Sequence, residues 1–178
     1  MRVWRLCQAA YAKKALTGEE AFTLRGRWHL QGVRVVYAAA TLSLAALELL
    51  VRIDRELAPP DLKAVEIDIP DSVEVERVPL SKLPSGWDAY PGLGDHTASG
   101  HEMDRRRANR GLGGPSAVIP REHNYVLNAI HPQFKRLRTV ATTPFAFDSR
   151  LLTLRPRLTD SRCRGVALPG GTCTRDHP

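Results

Sequence analysis

Three side chains capable of chemistry stand near one another in the mostly apolar stretch 26–50. Arg27, Tyr37 and Glu48 fall on what the pattern predicts to be a loop, a strand and a helix. A guanidinium offers forked donors to anionic oxygens, and a phenol offers a flat face and a hydroxyl. A carboxylate buried in hydrocarbon costs on the order of several kcal/mol unless a cation or donors meet it. Arg27 is the nearest strong candidate in sequence for that partner.

The predicted helix that carries Glu48 spans residues 41–57, with Thr41 as its N-cap. Its expected buried face repeats at helical spacing and comprises Leu42, Ala45, Ala46, Leu49, Leu50, Ile53 and Leu57. Leu44, Leu47 and Val51 form a second apolar flank, next to Glu48. Two interpretations of Glu48 stay open. It is either a buried acid with a partner or a residue on the narrow solvent-exposed face of an ordinary amphipathic helix.

An ordered set of short motifs extends over the chain. The motifs are GRWH at 26–29, VVYA at 35–38, LE at 47–48, LPSGW at 83–87, PSAVIP at 115–120, NY at 124–125 and NAIHP at 128–132. From about residue 5 to residue 151 this set resembles the RES-domain family, which is named for an arginine, a glutamate and a serine. Those three residues match Arg27, Glu48 and Ser116.

The resemblance implies a fold and a function. The expected fold is a single α/β (α+β) domain over residues 1–151, similar to the ADP-ribosyltransferases, with a small mixed sheet and flanking helices. Family members are toxins of bacterial type II toxin-antitoxin pairs that consume NAD and need no metal. An Xre-like antitoxin that blocks the pocket is the implied partner, and the acceptor of ADP-ribose stays open among water, phosphate and protein.

The resemblance also gives each candidate residue a role. Cleavage between nicotinamide and ribose creates an oxocarbenium-like ribose, which a nearby carboxylate stabilises, and Glu48 matches that position. Arg27 would anchor the cofactor, Tyr37 would lie against nicotinamide or its ribose, and the Ser116 hydroxyl would orient the ribose or the amide. Asn124 and His131 are assigned structural roles on loops and turns.

Composition and charge favour a soluble domain of ordinary type. The chain has 178 residues, 43% of them apolar and 25% charged, which suits one domain. Its net charge of +7 is concentrated in residues 133–178, with nine Lys or Arg against three Asp, and in residues 101–115, with four Arg against two acids. Two patches are poor evidence for a nucleic-acid groove, so direct binding of nucleic acid is not expected.

No membrane or secretory segment is predicted. The apolar run 35–51 has 17 residues and contains Glu48, short of the roughly 20 residues that span a bilayer. Three cysteines at irregular spacing favour neither a disulfide framework nor a zinc site, so a cytoplasmic location is the simplest expectation. The chain lacks the Gly-x-Gly-x-x-Gly pattern of Rossmann domains, which argues against a redox use of NAD.

The other elements follow from local pattern. We predict a helix over 7–16 with Tyr11 facing inward, and strands over 33–38, 64–69, 73–78, 117–119 and 143–147. The second and third of these strands are expected to be neighbours, in an antiparallel arrangement. In the strand 64–69, Val65, Ile67 and Ile69 should share one face.

The window 92–114 departs from the family pattern. It holds six glycines and four arginines, a composition that disfavours the helix and the strand expected there. One hypothesis is a pair of compensating reading-frame slips, because shifting the codons of Met103 and Asp104 by one nucleotide produces a tryptophan codon. The alternative is a genuine basic surface loop.

Residues 152–178 are predicted to form a disordered basic tail. The second functional hypothesis, from another class, is a catalytically inactive RES relic or an interaction protein whose basic patches bind acidic partners.

Overall fold

The computed structural model describes residues 1–23, 26, 28–29, 31–89 and 111–153. The strands are β1 (Arg2–Gln8), β2 (Val35–Ala39), β3 (Leu62–Asp68), β4 (Glu76–Arg77), β5 (Gly111–Pro115), β6 (His123–Asn128) and β7 (Arg138–Pro144). The helices are α1 (Ala9–Ala12), α2 (Glu19–Phe22), α3 (Leu42–Leu50) and α4 (Ser149–Leu152). Short 3₁₀ turns cover Arg55–Leu57, Leu80–Lys82 and Pro132–Arg136.

The described strands form one seven-stranded sheet in the order β4-β5-β6-β2-β1-β3-β7. Neighbours are antiparallel except β4 and β5, which run parallel. The prediction of an α/β domain with a mixed sheet and flanking helices is therefore confirmed. None of the described helices is long and apolar enough to cross a membrane.

Alternate residues of the central strand β2 pack into apolar clusters on opposite faces of the sheet. Val36 and Ala38 belong to a cluster with residues of β1, β3 and β6. Val35 and Ala39 lie on the opposite face, where α3 and the segment around Trp28 cover them. The alternation is that of a strand covered on both sides, and Tyr37 shares the face on which α3 lies.

The pairing between β1 and β2 is short. Its register contains one pair, Trp4 with Ala39, whereas β2 and β6 are paired over the whole length of β2. Arg5 lies beside this opening and donates from Nη1 to the carbonyl oxygen of Tyr37 at 3.1 Å. Its Nη2 donates to the Glu20 carboxylate. One guanidinium thus replaces strand pairing at the centre of the sheet.

The helix of Glu48 begins as predicted and ends early. Thr41 Oγ1 accepts from the backbone N–H of Leu44 at 3.1 Å, which confirms the N-cap. The helix stops at Leu50, and Asp54 caps a separate turn in which Leu57 is 77% exposed. The predicted buried face is wrong beyond Leu50, because a side-chain cap at Asp54 competes with helix continuation. Leu44, from the other flank, is fully buried.

The helix predicted over residues 7–16 starts later and is shorter than expected. Cys7 belongs to β1, whose seven residues are all paired with β3, and only Ala9–Ala12 are helical. Pairing with β3 overrides the local helix propensity of this alanine-rich segment. The inward orientation predicted for Tyr11 is also wrong, since Tyr11 is 46% exposed.

Strand partners differ from the predicted ones. The strands predicted over 33–38 and 64–69 are confirmed as β2 and β3, and Val65, Ile67 and Ile69 are buried together. The run 73–78 yields only β4, at the edge of the sheet beyond β5, so the predicted antiparallel pairing with β3 is wrong. Alternation identifies a strand but does not specify its neighbour. The closing strand β7 begins five residues earlier than predicted, at Arg138.

The strand next to Ser116 lies before this residue, and not after it as had been predicted. Gly111–Pro115 forms the fully buried strand β5, although its composition disfavours a strand, and residues 117–119 are not a strand. A Cβ at Gly113 would lie 3.1 Å from the ring of Tyr125, and one at Gly114 would lie 3.5 Å from Trp28. These glycines therefore allow aromatic rings to pack against the backbone. Residues 92–110 and 154–178, with the predicted frame slip and tail, lie outside the described residues.

Candidate functional site

The carboxylate of Glu48 lies where α3, β6 and the turn after β5 meet. Ser116 Oγ donates to Glu48 Oε1 at 2.7 Å, and Asn124 Nδ2 donates to the same oxygen. Arg52, one helical turn later, places Nη2 at 3.3 Å from Glu48 Oε2. The Glu48 side chain is 14% exposed. Glu48 is therefore a mostly buried acid that accepts hydrogen bonds, and it does not lie on the solvent-exposed face of an amphipathic helix.

Ser116 is held by its own turn. Its side chain is fully buried, and its Oγ accepts the backbone N–H groups of Val118 and Ile119, each at 3.0 Å. A hydroxyl has one hydrogen and two lone pairs, so the hydrogen of Ser116 goes to Glu48. In this arrangement Ser116 orients the carboxylate. Its predicted contact with the ribose or the amide of the cofactor stays a prediction.

Asn124 reaches the acid from the sheet. It pairs with Ala39 of β2 on one side and with Gly114 of β5 on the other. Its amide nitrogen must face Glu48, because a carboxylate only accepts. The structural role assigned to Asn124 from the sequence missed this contact. The available signal was its place in the same ordered set of motifs as Glu48 and Ser116.

His131 fulfils the structural role expected of it. Its Nδ1 accepts the backbone N–H of Gln133 at 3.2 Å and caps the 3₁₀ turn Pro132–Arg136. The described residues contain no group of three or more His, Cys, Asp or Glu side chains arranged to hold a metal ion.

Tyr37 lies on the same face of the sheet as Asn124. The hydroxyl of Tyr37 is 2.8 Å from His29 Nδ1, and His29 Nε2 is 2.9 Å from the carbonyl oxygen of Ala21. Ala39, two residues beyond Tyr37 on β2, pairs with Asn124. Two residues of strand rise by roughly 7 Å, so a phenol and an acid line neighbouring parts of one face.

An aromatic and apolar wall surrounds Tyr37. Trp28 and Trp87 pack with their ring centroids 6.1 Å apart, and both belong to the cluster that contains Val35, Val126 and Tyr37. The rings of His29 and Tyr37 meet edge to face at 5.4 Å. Such a wall suits a flat ring, and the face of tryptophan attracts a cationic one.

The arginines that contact Glu48 and the backbone of Tyr37 differ from the predicted one. Arg27 lies outside the described residues, so its predicted contacts with Glu48 and with the cofactor stay predictions. The cation observed at Glu48 is Arg52. Sequence reasoning also missed Arg5, whose side chain is 11% exposed and whose Nε is buried with no hydrogen-bond partner in the described part of the chain. The available signal was a charged residue in the middle of an apolar strand.

Cys7 is excluded as a nucleophile for this site. It lies in the cluster on the opposite face of the sheet, and burial raises the pKa of its thiol above the ordinary value. The neighbouring charge of Arg5 lowers that pKa by a smaller amount. The thiolate is the reactive form, so the raised pKa disfavours Cys7 as a nucleophile.

Comparison with known proteins identifies the family of this chain. Residues 2–148 match the RES domain. The chain belongs to the RES-domain family of toxins. The toxin named Toxin Res from Photorhabdus laumondii is 35% identical over 153 residues, which cover 85% of this chain and 97% of that protein. A Toxin Res from Pseudomonas putida is 37% identical over 153 residues, with coverage of 85% and 99%.

One further relative and one solved structure extend the comparison of this RES-domain chain. The Prs ADP-ribosylating toxin of a Sphingobium species is 32% identical over 153 residues, which cover 84% of this chain and 95% of that protein. A chain of the crystal structure of the M. tuberculosis MbcT–MbcA toxin–antitoxin complex superimposes with a TM-score of 0.61 at 19% identity. That superposition covers 81% of this chain and 83% of the other, and it supports the fold.

Proposed function

We propose that this RES-domain protein is a toxin that degrades NAD by cleaving the bond between nicotinamide and ribose. The observation that carries the proposal is the Glu48 carboxylate, held by donors from Ser116 and Asn124 on the face that also presents Tyr37. Two donors on one oxygen fix the orientation of the acid before a substrate arrives. Preorganised charge of this kind is the largest single contribution in many enzymes.

The chemistry requires little beyond placement and charge. As the C–N bond breaks, its electron pair leaves with the pyridinium nitrogen, and nicotinamide departs as a neutral molecule. The ribose carbon becomes oxocarbenium-like, and the negative charge of Glu48 stabilises it. A water, a phosphate oxygen or a protein nucleophile then bonds to that carbon; water and a protonated nucleophile also lose a proton.

The remaining roles follow from the family pattern. Arg27 would bind the phosphates of NAD through its forked donors, Tyr37 would lie against the nicotinamide end, and no metal is needed. The Sphingobium relative is named for ADP-ribosylation, which favours transfer of ADP-ribose to a protein among the possible acceptors. The structural relative is part of a toxin–antitoxin complex. By analogy we propose an Xre-like antitoxin as the partner of this chain, acting in the cytoplasm.

The test is expression of the chain without an antitoxin while cellular NAD is followed. The account predicts that NAD falls in cells that make the wild-type chain and stays constant in cells that make Glu48→Gln. Glutamine keeps an oxygen for Ser116 and removes the charge. Glu56→Gln is the matched control, because Glu56 is exposed on the turn after α3 and should leave NAD loss unchanged.

Unchanged NAD with folded wild-type protein would contradict the proposal and favour an inactive relic or a basic interaction protein. Salt-sensitive association with acidic partners would then identify the latter.

A further inference from the structure

The connection between β5 and β6, residues 116–122, is a loop closed by its own hydrogen bonds. The backbone N–H of Ser116 donates to the carbonyl oxygen of Glu122 at 2.9 Å, so the two ends of the loop are joined. The N–H of Glu122 in turn donates to the carbonyl oxygen of Ile119 at 2.9 Å. The Ser116 hydroxyl accepts two further N–H groups of the same loop. Ser116 and Glu122 are therefore held beside each other.

The loop contacts helix α3 through a side chain at each of its ends. Ser116 donates its hydroxyl hydrogen to Glu48, and Thr41 Oγ1 donates to Glu122 Oε2 at 2.9 Å. Thr41 and Glu48 are seven residues apart, which is close to two helical turns, so they face the same side of α3. Two turns correspond to roughly 11 Å along the helix axis. The loop thus contacts one side of the helix both at its start and near its end.

Apolar packing joins the loop and the helix between these two contacts. Ile119 of the loop packs against the buried cluster that contains Leu44 and Ala45 of α3. These two residues come between Thr41 and Glu48 in the sequence. Leu44 is fully buried. The loop and the helix therefore pack as one unit, with a polar contact on either side of an apolar one.

The Thr41 hydroxyl makes two contacts at the start of α3. Its oxygen accepts the N–H of Leu44 and caps the helix, while its hydrogen goes to Glu122. The chain passes from β2 to α3 through residues 40 and 41 alone. A contact at Glu48 alone allows the start of the helix to shift, whereas a second contact two turns away fixes the direction of the helix. The Glu48 carboxylate is then presented to its donors in one position.

We infer that Thr41 and Glu122 are positioning residues of the candidate site. Their contact fixes the start of α3 to the loop that carries Ser116, and this sets the position of Glu48 relative to its donors. Neither side chain touches the substrate in this role. The contact should therefore affect kcat, which depends on the placement of the acid in the transition state, more than KM. As a role in NAD cleavage, this inference rests on the proposed function.

The experiment reverses the polarity of the contact. Thr41→Asp keeps an oxygen to cap Leu44, because aspartate is a preferred N-cap residue, but it removes the hydrogen and places a second carboxylate against Glu122. We expect kcat for NAD to fall about tenfold, with KM within about twofold of the wild-type value. Adding Glu122→Gln supplies an amide donor to the new carboxylate and should restore most of the lost kcat.

A second variant breaks the same contact from the loop and leaves the N-cap intact. Glu122→Ala removes the acceptor of the Thr41 hydrogen and should lower kcat by a similar factor. Thr41→Ser keeps the hydroxyl for both contacts and should retain most of the activity. Thermal unfolding confirms that each variant is folded. Wild-type kcat in folded Glu122→Ala, or no recovery when Glu122→Gln is added to folded Thr41→Asp, would overturn the inference.

Ser43→Asp is the matched control for charge. It adds the same charge to the first turn of α3, where Ser43 is exposed and has no contact with Glu122 among those the structure gives. Exposed substitutions of this kind change little, so kcat should stay within about twofold of the wild-type value. A fall in kcat as large as in Thr41→Asp would mean that charge alone explains the loss, and the inference would fail.

Hydrogen exchange tests the contact without any reaction. The N–H groups of Val118 and Ile119 report on the loop, and the N–H of Leu44 reports on the N-cap. In Thr41→Asp we expect about tenfold faster exchange at Val118 and Ile119, with the exchange rate of Leu44 unchanged. Adding Glu122→Gln should return the loop to near its wild-type rate.

These exchange rates separate the inference from the proposed function. A folded chain that never consumes NAD, but whose loop exchanges faster in Thr41→Asp and recovers with Glu122→Gln, would overturn the proposed cleavage and leave the positioning role standing. Unchanged exchange at Val118 and Ile119 in folded Thr41→Asp would overturn the inference, whether or not the wild-type chain consumes NAD.

Discussion

The two ends of the candidate site are built in different ways. At the acid end, Glu48, Ser116 and Asn124 are held by a helix, a turn and a strand, and their donors converge on one oxygen. At the aromatic end, Tyr37 stands on a strand, but its partner His29 belongs to an irregular segment. Regular elements therefore hold the acid, whereas an irregular segment holds the partner of the phenol.

The largest effect should come from a second charge at the acid end. Asn124→Asp keeps the shape of the side chain and replaces the donor to Glu48 by an oxygen. Two carboxylates in contact cannot both ionise freely, so they share one proton and the negative charge is no longer held on Glu48 alone. We expect kcat for NAD to fall about a hundredfold with little change in KM, measured by steady-state kinetics.

A matched control lies on the same strand. Asn128→Asp keeps the oxygen that accepts the N–H of Ile130 and should leave kcat within about twofold, since it makes no contact with Glu48 among those the structure gives. Equal loss of kcat in both variants would mean that Asn124 acts through the fold of β6. Its contact with Glu48 would then not explain the loss.

Ser116→Ala should have a smaller effect on activity and a clear effect on stability. The change removes one donor to Glu48 and leaves the N–H groups of Val118 and Ile119 without their acceptor. Unpaired buried groups cost about 1–3 kcal/mol in the free energy of unfolding. We expect that loss in denaturant titration, together with about a tenfold lower kcat.

Ser116→Thr retains the hydroxyl and should recover most of the lost activity if the buried turn admits the extra methyl group. Normal stability and normal kcat in Ser116→Ala would contradict the proposed orientation of Glu48.

Arg5→Met should give the smallest effect, at the opening between β1 and β2. The change keeps an apolar stem and removes the donors to the Tyr37 carbonyl and to Glu20. We expect a loss of about 1–2 kcal/mol in the free energy of unfolding and a severalfold higher KM for NAD, because the strand that carries Tyr37 loses an anchor.

Arg2→Met is the control for Arg5, since Arg2 lies on the same strand in an exposed ion pair with Glu66. Exposed pairs contribute at most about 1 kcal/mol, so stability and KM should change little. An Arg5 variant indistinguishable from the Arg2 variant would show that the guanidinium does not hold the centre of the sheet.

The part of the site that was predictable from sequence is the part with local signals. Thr41 before an apolar helical run predicted the N-cap, and Glu48 within that run needed partners wherever it was buried. The partners themselves come from Ser116 and Asn124, which are 68 and 76 residues away along the chain. No local pattern shows that a turn and a strand so distant would place their donors on one oxygen.

Two of the errors in the fold have the same physical cause. The segment 7–16 was assigned to a helix by local propensity, but pairing with β3 makes its first two residues, Cys7 and Gln8, part of a strand. Gly111–Pro115 was excluded as a strand by composition, yet its glycines allow the rings of Trp28 and Tyr125 to approach the backbone. Tertiary contacts decided both segments, and such contacts are visible only once the whole sheet is assembled.

The central claim is that Glu48 provides the charge for breaking the nicotinamide–ribose bond. Its most direct test is the release of free nicotinamide from NAD by the purified chain, compared between the wild-type protein and Glu48→Gln at equal folded concentration. The account predicts one nicotinamide released for each NAD lost in the wild type, and a rate reduced by at least about a hundredfold in the variant. Release at the wild-type rate by folded Glu48→Gln would contradict it.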